Sequence, residues 1–335
     1  MVGLRVSTIQ SSNGVSSLRS PRIDVVGSYA TGLTMRVDRL PSPGETLLAR
    51  GYRIDYGGKG SNQAVACARL GASVRFIAKM GRDNFADMAL KLYGDEGIDV
   101  ASVMQISDAP TGVGFIIVDA NGNNCITIDP GANELLTDQE VSHCFATPDS
   151  ASVVLTQLEI PVAAAGAAMA RGREKGALTI MNPAPVRLLP VPLLQLVDIL
   201  TPNQSEAKVL TGRSPDAAIA PEAVARELIL KGVKQVVMTL GDTGALIVTS
   251  TSSLHVPAIK VASVDTTGAG DAFNAGLAMA LACGETLEAA VRFAVVTGGL
   301  AVTREGVVPA LPLRDEVTQY YRRQGRTLPA WLCPG

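Results

Sequence analysis

Short runs of apolar, often β-branched residues alternate along the chain with longer segments whose apolar residues recur at helical spacing. The short runs predict buried β-strands and the longer segments predict α-helices. This alternation is typical of βαβ units, in which a mostly parallel sheet is covered by helices on both faces. We therefore expect an α/β fold with three layers, α, β and α. The predicted strands cover residues 23–27, 74–78, 152–155, 178–181, 198–200 and 236–240, and the predicted helices between them cover 84–96, 162–175 and 221–231.

Two stretches depart from this alternation. Residues 31–56 contain two prolines and a glycine before an alternating, strand-like run, and residues 111–128 contain two apolar runs around Asn121-Gly122. An Asn-Gly pair between apolar runs is a strong signal for a β-hairpin. We predict that the two stretches, with bounds of about 31–56 and 108–130, form a small accessory β-sheet beside the main domain.

The last third of the chain changes character again. Two Ala- and Gly-rich helices are predicted at 269–283 and 286–303, with Gly284 as a C-cap between them. An amphipathic helix follows from Arg314. The predicted organisation is a disordered leader at 1–21, one domain at 22–325 and a loose tail at 326–335.

Composition and charge remove several classes of function. Apolar residues make up 47% of the chain and charged residues 18%, which excludes global disorder. The formal net charge of −2, without a block of basic residues, argues against a nucleic-acid partner. No apolar run reaches the roughly 18 residues of a membrane span. Five scattered cysteines without a C-x-x-C pair indicate reduced thiols, so we expect a cytoplasmic protein. Two distant histidines exclude a His-rich metal site and disfavour a Ser-His-Asp hydrolase.

The most informative segment for chemistry is DTTGAGDAFNAG at 265–276. Gly268, Ala269 and Gly270 lie at the start of a predicted helix and are small enough to let a ligand approach the backbone closely. The first N–H groups of a helix have no partner within it and lie at the positive end of its dipole. Such a helix start is suited to hold a phosphoryl group.

Asp271 falls in the first turn of this helix, beside the predicted anion hole. Phosphoryl transfer needs donors for the charge on the moving phosphate, a metal ion, and a carboxylate that orients the attacking hydroxyl and takes its proton. Asp271 is the candidate for this base. At a helix N-terminus its carboxyl should be ionised at neutral pH and should be a weak base in the ground state. The alternative reading of a single acid at this place is that it only complements the helix dipole.

Two common phosphate motifs do not match. Gly57-Gly58-Lys59 lacks the upstream glycine of a P-loop and continues with Gly60. Gly268-x-Gly270 continues to Phe273, where a dinucleotide fingerprint needs Gly or Ala. A P-loop is therefore rejected and a Rossmann dehydrogenase is disfavoured.

Two further segments carry polar residues at helix starts. In 55–64, three glycines open a helix with Lys59 and Asn62 in its first turn. A lysine there opposes the helix dipole, so it indicates recognition of hydroxyl groups in a cleft, with a solvated helix start as the alternative. Asn203 and Glu206 have the spacing of a capping box, at the carboxyl end of a predicted parallel strand where α/β sheets bind ligands.

These segments resemble the two signatures of the ribokinase-like, or PfkB-type, sugar kinases. The first signature is GGKGSNQA at 57–64, with the later Gly71 and Gly81, and the second is DTTGAGD at 265–271. Both are long and specific, and they occur in the order and spacing of the family. The resemblance covers residues 22 to about 315. Three further segments resemble the ribokinase branch of the family: GAN at 131–133, QLE at 157–159 and NPAP at 182–185.

The resemblance implies an ATP-dependent kinase that phosphorylates a hydroxyl of a small sugar, with Mg²⁺ and K⁺ as cofactors. It also implies that the accessory sheet is a β-lid, which closes over the sugar and often pairs in a homodimer. It implies that Asp271 is the base, that Gly268, Ala269 and Gly270 form the anion hole, and that Gly58, Lys59, Asn62 and Glu159 contact the sugar. Nucleotide contacts are implied for Asn203, Glu206, Thr239, Gly241, Gly244 and Gly306, the first two through Mg-bound phosphates. A monovalent-cation site is implied at Asp265 and Thr267 with the backbone of Ala301 and Gly306.

The chain departs from the family at the sugar site. Members typically carry an Asp just after the first strand that holds the sugar's hydroxyls, whereas this chain has Ala30 and Gly32 there. A hydrogen bond to a charged group contributes roughly 1.5–3 kcal/mol, so ribose should bind weakly unless Thr31 or a lid residue compensates. A second departure is Ala310, where the cation site of the family often has Ser.

Three functions follow, in order of preference. The first is a kinase with ribose or a related pentose as acceptor. The second keeps the fold and changes the acceptor to a deoxysugar, polyol, sugar acid or nucleoside, because Gly32 has no carboxylate. The third is a non-catalytic sugar-binding regulator, against which the intact segment 268–271 argues.

Overall fold

The computed structural model describes residues 20–333, so the predicted disordered leader lies outside the described residues except for Ser20 and Pro21. Over these residues a sheet of nine strands forms the centre of the molecule, in the order β13-β12-β11-β10-β9-β8-β1-β4-β5. The strands from β11 to β5 pair in parallel, whereas β12 and β13 are antiparallel additions at one edge. The strands are β1 (Arg22–Val26), β4 (Ser73–Gly81), β5 (Asp99–Ile106), β8 (Val153–Thr156), β9 (Leu178–Met181), β10 (Ile199–Leu200), β11 (Gln235–Thr239), β12 (Gly244–Val248) and β13 (Ser253–Pro257).

Helices cover both faces of this sheet, which confirms the predicted three-layer α/β architecture. They are α1 (Lys59–Arg69), α2 (Asn84–Asp95), α3 (Asp138–Cys144), α4 (Val162–Glu174), α5 (Val191–Leu194), α6 (Gln204–Leu210), α7 (Pro221–Leu230), α8 (Ala269–Ala282), α9 (Leu287–Ala301) and α10 (Arg314–Arg323).

The apolar core lies on both sides of the sheet because successive strand residues point to opposite faces. Ile23 and Val25 of β1 pack into the cluster that contains α1, α8 and α9, whereas Val26 packs into the cluster that contains α4 and α7. Helices α8 and α9 approach closely because their contact is lined with small residues. A Cβ at Gly276 would lie only 2.2 Å from Thr297 Oγ1. The Ala- and Gly-rich sequence of this region is therefore a packing requirement.

A second sheet of four strands, in the order β3-β2-β6-β7, is built from the two stretches that departed from the βαβ pattern. It consists of β2 (Ala30–Arg36), β3 (Gly51–Gly57), β6 (Gly112–Val118) and β7 (Asn124–Asp129). The Asn121-Gly122 turn joins β6 and β7, and Gly122 has the positive φ of 85° that such turns need. We call this sheet the lid.

Three strands of the main sheet were not predicted. β5 is a half-exposed edge strand in which polar and apolar residues mix, and β12 and β13 form an antiparallel hairpin that breaks the βαβ rhythm. Two described residues of the predicted loose tail contact the core. Leu332 is buried, and the ring centroid of Trp331 lies 4.9 Å from that of Phe293 on α9. The apolar residues of the tail pack on the core rather than remain in solvent.

Two results bear on the expected partners. No helix among residues 20–333 is long and apolar enough to cross a membrane. Within the same residues, no three His, Cys, Asp or Glu side chains are grouped so that they could hold a metal ion.

Candidate active site

Polar residues line one edge of the main sheet, at the carboxyl ends of neighbouring parallel strands. Ser28 follows β1, Glu159 follows β8, Asn182 follows β9, Asn203 follows β10, and Thr239 ends β11. The carboxyl edge of an open α/β sheet is where such folds bind ligands. Predicted site residues from three separate segments, Glu159, Asn203 and Thr239, are therefore brought to one edge.

The first turns of α1 and α8 meet above this edge. Asn62 Nδ2 donates a hydrogen bond of 2.8 Å to Asp271 Oδ2, and Gln63 Nε2 donates one of 2.9 Å to Asp271 Oδ1. The two segments with phosphate- and hydroxyl-binding character are thus in direct contact, although they lie far apart in sequence.

Glycine is required at the entry to both helices. Gly58 has φ of 84°, and a Cβ there would lie 2.7 Å from Tyr29 Cα. Gly268 has φ of 80°, and a Cβ there would lie 2.7 Å from Val307 Cγ1. Both positions combine a left-handed backbone with a close neighbour, so any other residue would be strained.

Asp271 is a buried carboxylate with only 6% of its surface exposed. Burial raises the pKa of Asp271 above its ordinary value, against the opposing effects of the Lys59 charge and of the hydrogen bonds from Gln63 and Asn62. From the helix dipole alone we predicted a weak base. Desolvation acts in the other direction and outweighs the Lys59 charge and the amide hydrogen bonds, so the raised pKa makes the carboxylate a stronger proton acceptor.

A chain of buried amides orients the donors to Asp271. Gln157 Nε2 donates to Gln63 Oε1 over 2.6 Å, so the Gln63 nitrogen faces Asp271 and also reaches Asn182 Oδ1 at 3.2 Å. Asn182 in turn donates to the carbonyl of Thr201. These roles were not predicted. Gln63, Gln157 and Asn182 lie within the motifs named above, but their contacts join three separate segments of the chain.

Glu159 occupies the start of α1. Its Oε2 accepts hydrogen bonds from Ser28 Oγ at 2.6 Å and from the backbone N–H of Lys59 at 2.7 Å. An anion at this place complements the helix dipole that Lys59 opposes. In the described part of the chain, Glu159 Oε1 has no hydrogen-bond partner, so one carboxylate oxygen is available for a ligand. Ser28 was not predicted as a site residue.

Lys59 lies among carboxylates. Burial alone would lower the pKa of Lys59, but the charges of Asp271, Glu159 and Glu206 together raise it above the ordinary value. The ammonium group therefore stays protonated at neutral pH. Three acids and one base share this region, so its fixed charge is negative on balance.

The start of α8 is open. The N–H of Ala269 donates to the carbonyl of Thr266 at 3.3 Å, whereas the N–H groups of Gly270 and Asp271 have no acceptor among residues 20–333. A Cβ on Gly270 would meet no atom within 4 Å. Of the residues predicted for the anion hole, Gly268 and Gly270 therefore have backbone N–H groups without an acceptor in residues 20–333, whereas the Ala269 N–H has one. The N–H of Asp271 is a further donor without an acceptor there.

Asn203 and Glu206 form the predicted capping box at the start of α6. Glu206 N–H donates to Asn203 Oδ1, and Asn203 N–H donates to Glu206 Oε2, each at 2.8 Å. Burial raises the pKa of Glu206, while its bond to Asn203 and the Lys59 charge lower it. A backbone bridge joins Asn203 to Thr239, which brings these nucleotide candidates together.

The loop after Thr239 contains the next candidates. Gly241 has φ of 63° and opens a short 3-10 turn, Gly241–Thr243. Gly244 has φ of 110°, and a Cβ there would lie 2.1 Å from the carbonyl oxygen of Val256 on β13. Glycine at 244 is thus explained by the close β12–β13 pairing.

Asp265 ties two loops together at the predicted cation site. Its Oδ1 accepts from the Thr267 N–H at 2.9 Å and from the Thr267 hydroxyl at 2.7 Å, and its Oδ2 accepts from the Gly306 N–H at 3.0 Å. Although burial opposes it, these bonds hold the pKa of Asp265 below its ordinary value. The backbone N–H of Asp265 donates to the carbonyl of Val302, next to Ala301. The four residues predicted for a monovalent cation are therefore adjacent.

Known proteins share this sequence and fold. The family model of pfkB family carbohydrate kinases matches residues 20–314. A ribokinase of Haemophilus influenzae is 35% identical over 301 residues, which cover 89% of this chain and 97% of that one. A deoxyribokinase of Salmonella typhimurium is 34% identical over 299 residues, which cover 89% and 98%. The structure of Arabidopsis thaliana ribokinase complexed with ribose and ATP has a TM-score of 0.82 at 30% identity, and covers 90% of this chain and 98% of that one.

Proposed function

Because the chain belongs to the pfkB family of carbohydrate kinases and is an ATP-dependent sugar kinase, we propose that it is a ribokinase, with Asp271 as its catalytic base. The proposal for the acceptor rests on the ribokinase relatives. The proposal for the base rests on one observation: a buried carboxylate is held by Asn62 and Gln63 beside backbone N–H groups that have no acceptor among residues 20–333.

The proposed reaction moves one phosphoryl group and one proton. Asp271 accepts the proton of the attacking hydroxyl, and the N–H groups of Gly270 and Asp271 bind the oxygens of the phosphoryl group in transit. Because desolvation raises the pKa of Asp271, the carboxylate gains basicity without leaving the helix start. Asn62 and Gln63 keep it oriented, and amides suit this task because they do not compete for the proton.

Glu159, Asn62, Lys59 and Gly58 are proposed to hold the sugar. Glu159 Oε1 lacks a partner in the described part of the chain, and Asn62 Oδ1 is a buried oxygen that likewise lacks one there. A sugar hydroxyl satisfies such an acceptor, and an unsatisfied buried polar atom costs about 1–3 kcal/mol. Lys59, in contrast, is a hydrogen-bond donor. The set therefore matches a ligand that both donates and accepts hydrogen bonds.

The charge of the site fits a requirement for Mg²⁺. A site with three carboxylates and one ammonium repels a triphosphate unless a cation accompanies it. Asn203 and Glu206 are proposed to act on the Mg-bound phosphates, since Mg²⁺ prefers oxygen ligands and usually keeps several bound waters. When bound, the ion supplies positive charge to the phosphate oxygens.

The nucleotide and the monovalent cation are proposed to lie farther along the same edge. Thr239 and Gly241 would contact the nucleotide, with the loops of Gly244 and Gly306 around the adenine. Asp265, Thr267, Ala301 and Gly306 would hold K⁺. The shared bonds of Asp265 support this placement, because a cation that orders this loop also orders the entry to α8 through Gly268.

The lid is proposed to close over the acceptor and to pair in a homodimer. One face of the lid carries exposed apolar side chains: Met35, Tyr52, Ile54 and Phe115. Strand alternation places them opposite the face that carries Arg53 and Asp55. A face of this kind is typical of a subunit interface. Light scattering of the wild type and of Phe115→Arg tests the dimer, which the variant should weaken.

A second candidate function is phosphorylation of 2-deoxyribose. It is favoured by the absence of a side chain at Gly32 and by the deoxyribokinase relative. Both candidates use the same base and the same anion hole, so they differ only in acceptor recognition.

A coupled assay of ADP release tests the proposal. Purified protein is given Mg-ATP with ribose, 2-deoxyribose, other pentoses, hexoses, polyols, sugar acids or nucleosides, each with and without potassium. We expect ribose to give the highest kcat/KM and potassium to raise the rate. A higher kcat/KM for 2-deoxyribose would establish the second candidate. No turnover with any acceptor, from protein shown to be folded by circular dichroism, would favour the non-catalytic regulator instead.

A further inference from the structure

The face of the lid that bears Asp55 contains a group of residues with little or no side chain. They occupy four positions next to the body of the molecule: Ala30 and Gly32 on β2, Gly57 on β3, and Gly114 on β6. Residues two apart on a strand share a face, and paired residues share it too. These four positions therefore form a hollow in the sheet surface, which ends at Gly112, where Asn133 fills the space.

Asp55 is the charged side chain that borders this hollow. It pairs with Gly32 across β2 and β3, and a Cβ on Gly32 would lie 3.7 Å from Asp55 Cβ. The opposite wall is apolar, since the same Cβ would lie 3.8 Å from Ile116 Cδ1. A ligand in this hollow meets one carboxylate and one aliphatic side chain.

The hollow opens toward the sugar-binding residues. Gly57, two residues after Asp55, pairs with Ala30 and leads directly into Gly58 and Lys59. Two strand residues span about 7 Å, which is close to the width of a pentose. Asp55 thus lies about one sugar width along β3 from Gly57, which directly precedes the N-cap of α1.

The same face is turned toward the body of the protein. Arg53, two residues before Asp55, reaches Glu305 Oε1 at 3.3 Å, and Arg36 on β2 reaches the same oxygen at 2.8 Å. Glu305 precedes Gly306, whose N–H binds Asp265. The part of the lid face around Arg53 therefore contacts the loop of Glu305 and Gly306, although the arginine itself remains partly exposed.

One oxygen of the Asp55 carboxylate is held by an arginine, and the other is available as a hydrogen-bond acceptor. Arg53 Nε donates to Asp55 Oδ2 over 2.5 Å. Asp55 Oδ1 accepts no hydrogen bond from any residue between 20 and 333. The arginine fixes the orientation of the group, and Oδ1 remains able to accept from a ligand hydroxyl.

We propose that Asp55 is an acceptor-binding and specificity-determining residue, which accepts hydrogen bonds from hydroxyl groups of the sugar across the hollow above Gly32. This inference rests on the proposed sugar kinase function. It gives the chain a carboxylate on β3 in compensation for the one that is lacking on β2. The acceptor class that fits is a small polyhydroxylated sugar with adjacent hydroxyls.

Relocation of the carboxylate across the strand pair tests the proposal. Asp55→Ala should raise KM for ribose by about 10- to 100-fold, the range expected for a lost hydrogen bond to a charged group, with little change in kcat or in KM for ATP. The double variant Gly32→Asp/Asp55→Ala should recover most of the affinity, because a side chain at 32 meets only ordinary contacts. Preference for ribose over 2-deoxyribose should fall in Asp55→Ala.

Asp38→Ala is the matched control, since Asp38 also pairs with an arginine of the lid, Arg50, but at the far end of β2 and β3. It should leave both KM values unchanged. An unchanged KM for ribose in Asp55→Ala, or an equal rise in Asp38→Ala, overturns the assignment of Asp55 while the kinase function stands. If the wild type phosphorylates no sugar, the proposed function fails, and the inference fails with it.

Discussion

The starts of α1 and α8 are built alike and used differently. Each follows a glycine with positive φ that is pressed against a neighbouring residue, and their first turns touch through Asn62 and Asp271. At α1 the protein supplies its own anion, because Glu159 accepts the N–H of Lys59. At α8 the N–H groups of Gly270 and Asp271 have no acceptor in residues 20–333.

The difference indicates that a helix N-terminus can bind a ligand when the protein itself supplies no acceptor for its first N–H groups. A carboxylate from a neighbouring loop accepts the Lys59 N–H at the α1 start, beside the proposed sugar contacts. The α8 start keeps N–H donors that are proposed to bind the phosphoryl group, and its own acid, Asp271, accepts from the α1 amides instead. We expect changes at α8 to affect kcat and changes at α1 to affect acceptor binding and stability.

The largest effect is expected at the open helix start. Asp271→Asn removes the base while it keeps the size of the side chain, so kcat should fall by about 10²–10⁴-fold, as is usual for the loss of general base catalysis. Steady-state kinetics with ribose and Mg-ATP measure this. Thermal unfolding should show that the variant is folded. Turnover close to the wild-type rate would mean that Asp271 is not the base.

At the filled helix start the effect should be on binding. Glu159→Ala removes an acceptor for the sugar and the anion on the Lys59 N–H, so KM for ribose should rise by about tenfold or more. The free energy of unfolding should fall by about 1 kcal/mol, the usual contribution of an N-terminal cap. Denaturant titration and kinetics measure the two effects. A loss confined to kcat would contradict the division of roles between the helices.

The contact between the two helices should set the pH dependence. Activity needs ionised Asp271, so it is present above the pKa of that group and is lost as the pH falls through it. Burial raises this pKa and the Gln63 hydrogen bond lowers it. Gln63→Met removes that bond, so the acid limb of kcat/KM should move to higher pH. A pH–rate profile of both proteins measures the shift, and movement to lower pH would contradict the assignment.

The smallest effect is expected at a helix start outside the site. Thr286 caps α9 by accepting the N–H of Ala289. Thr286→Ala should lower the free energy of unfolding by about 1 kcal/mol and leave kcat and both KM values unchanged. The variant thus separates the loss of a cap from the loss of a ligand contact. A fall in kcat as large as in Asp271→Asn would show that helix capping alone explains the other results.

The sequence was sufficient for much of the fold and for the two signature segments. Strand and helix periods predicted the α/β layers, and the Asn121-Gly122 turn predicted the β6–β7 hairpin. Local signals sufficed there because backbone geometry and side-chain spacing are local properties. The edge hairpin β12–β13 was not predicted, because it stands where the pattern would place a further βαβ unit.

The rest of the site depends on contacts between distant residues. Nothing in the sequence near Glu159 indicates that its carboxylate meets the N–H of Lys59, and nothing near Gln63 indicates its bonds to Gln157 and Asp271. The raised pKa of Asp271 is likewise a consequence of burial, which the helix-dipole argument did not include. Packing of the tail residue Trp331 against the core is a further long-range contact.

The central claim is tested most directly by a crystal structure with Mg-ADP, aluminium fluoride and ribose. The fluoride group imitates the phosphoryl group in transit. We predict that its fluorine atoms lie within hydrogen-bond distance of the N–H groups of Gly270 and Asp271, with the Asp271 carboxylate on the ribose hydroxyl that faces the aluminium. A fluoride group bound away from the α8 start, or a ribose hydroxyl out of reach of Asp271, would contradict the account.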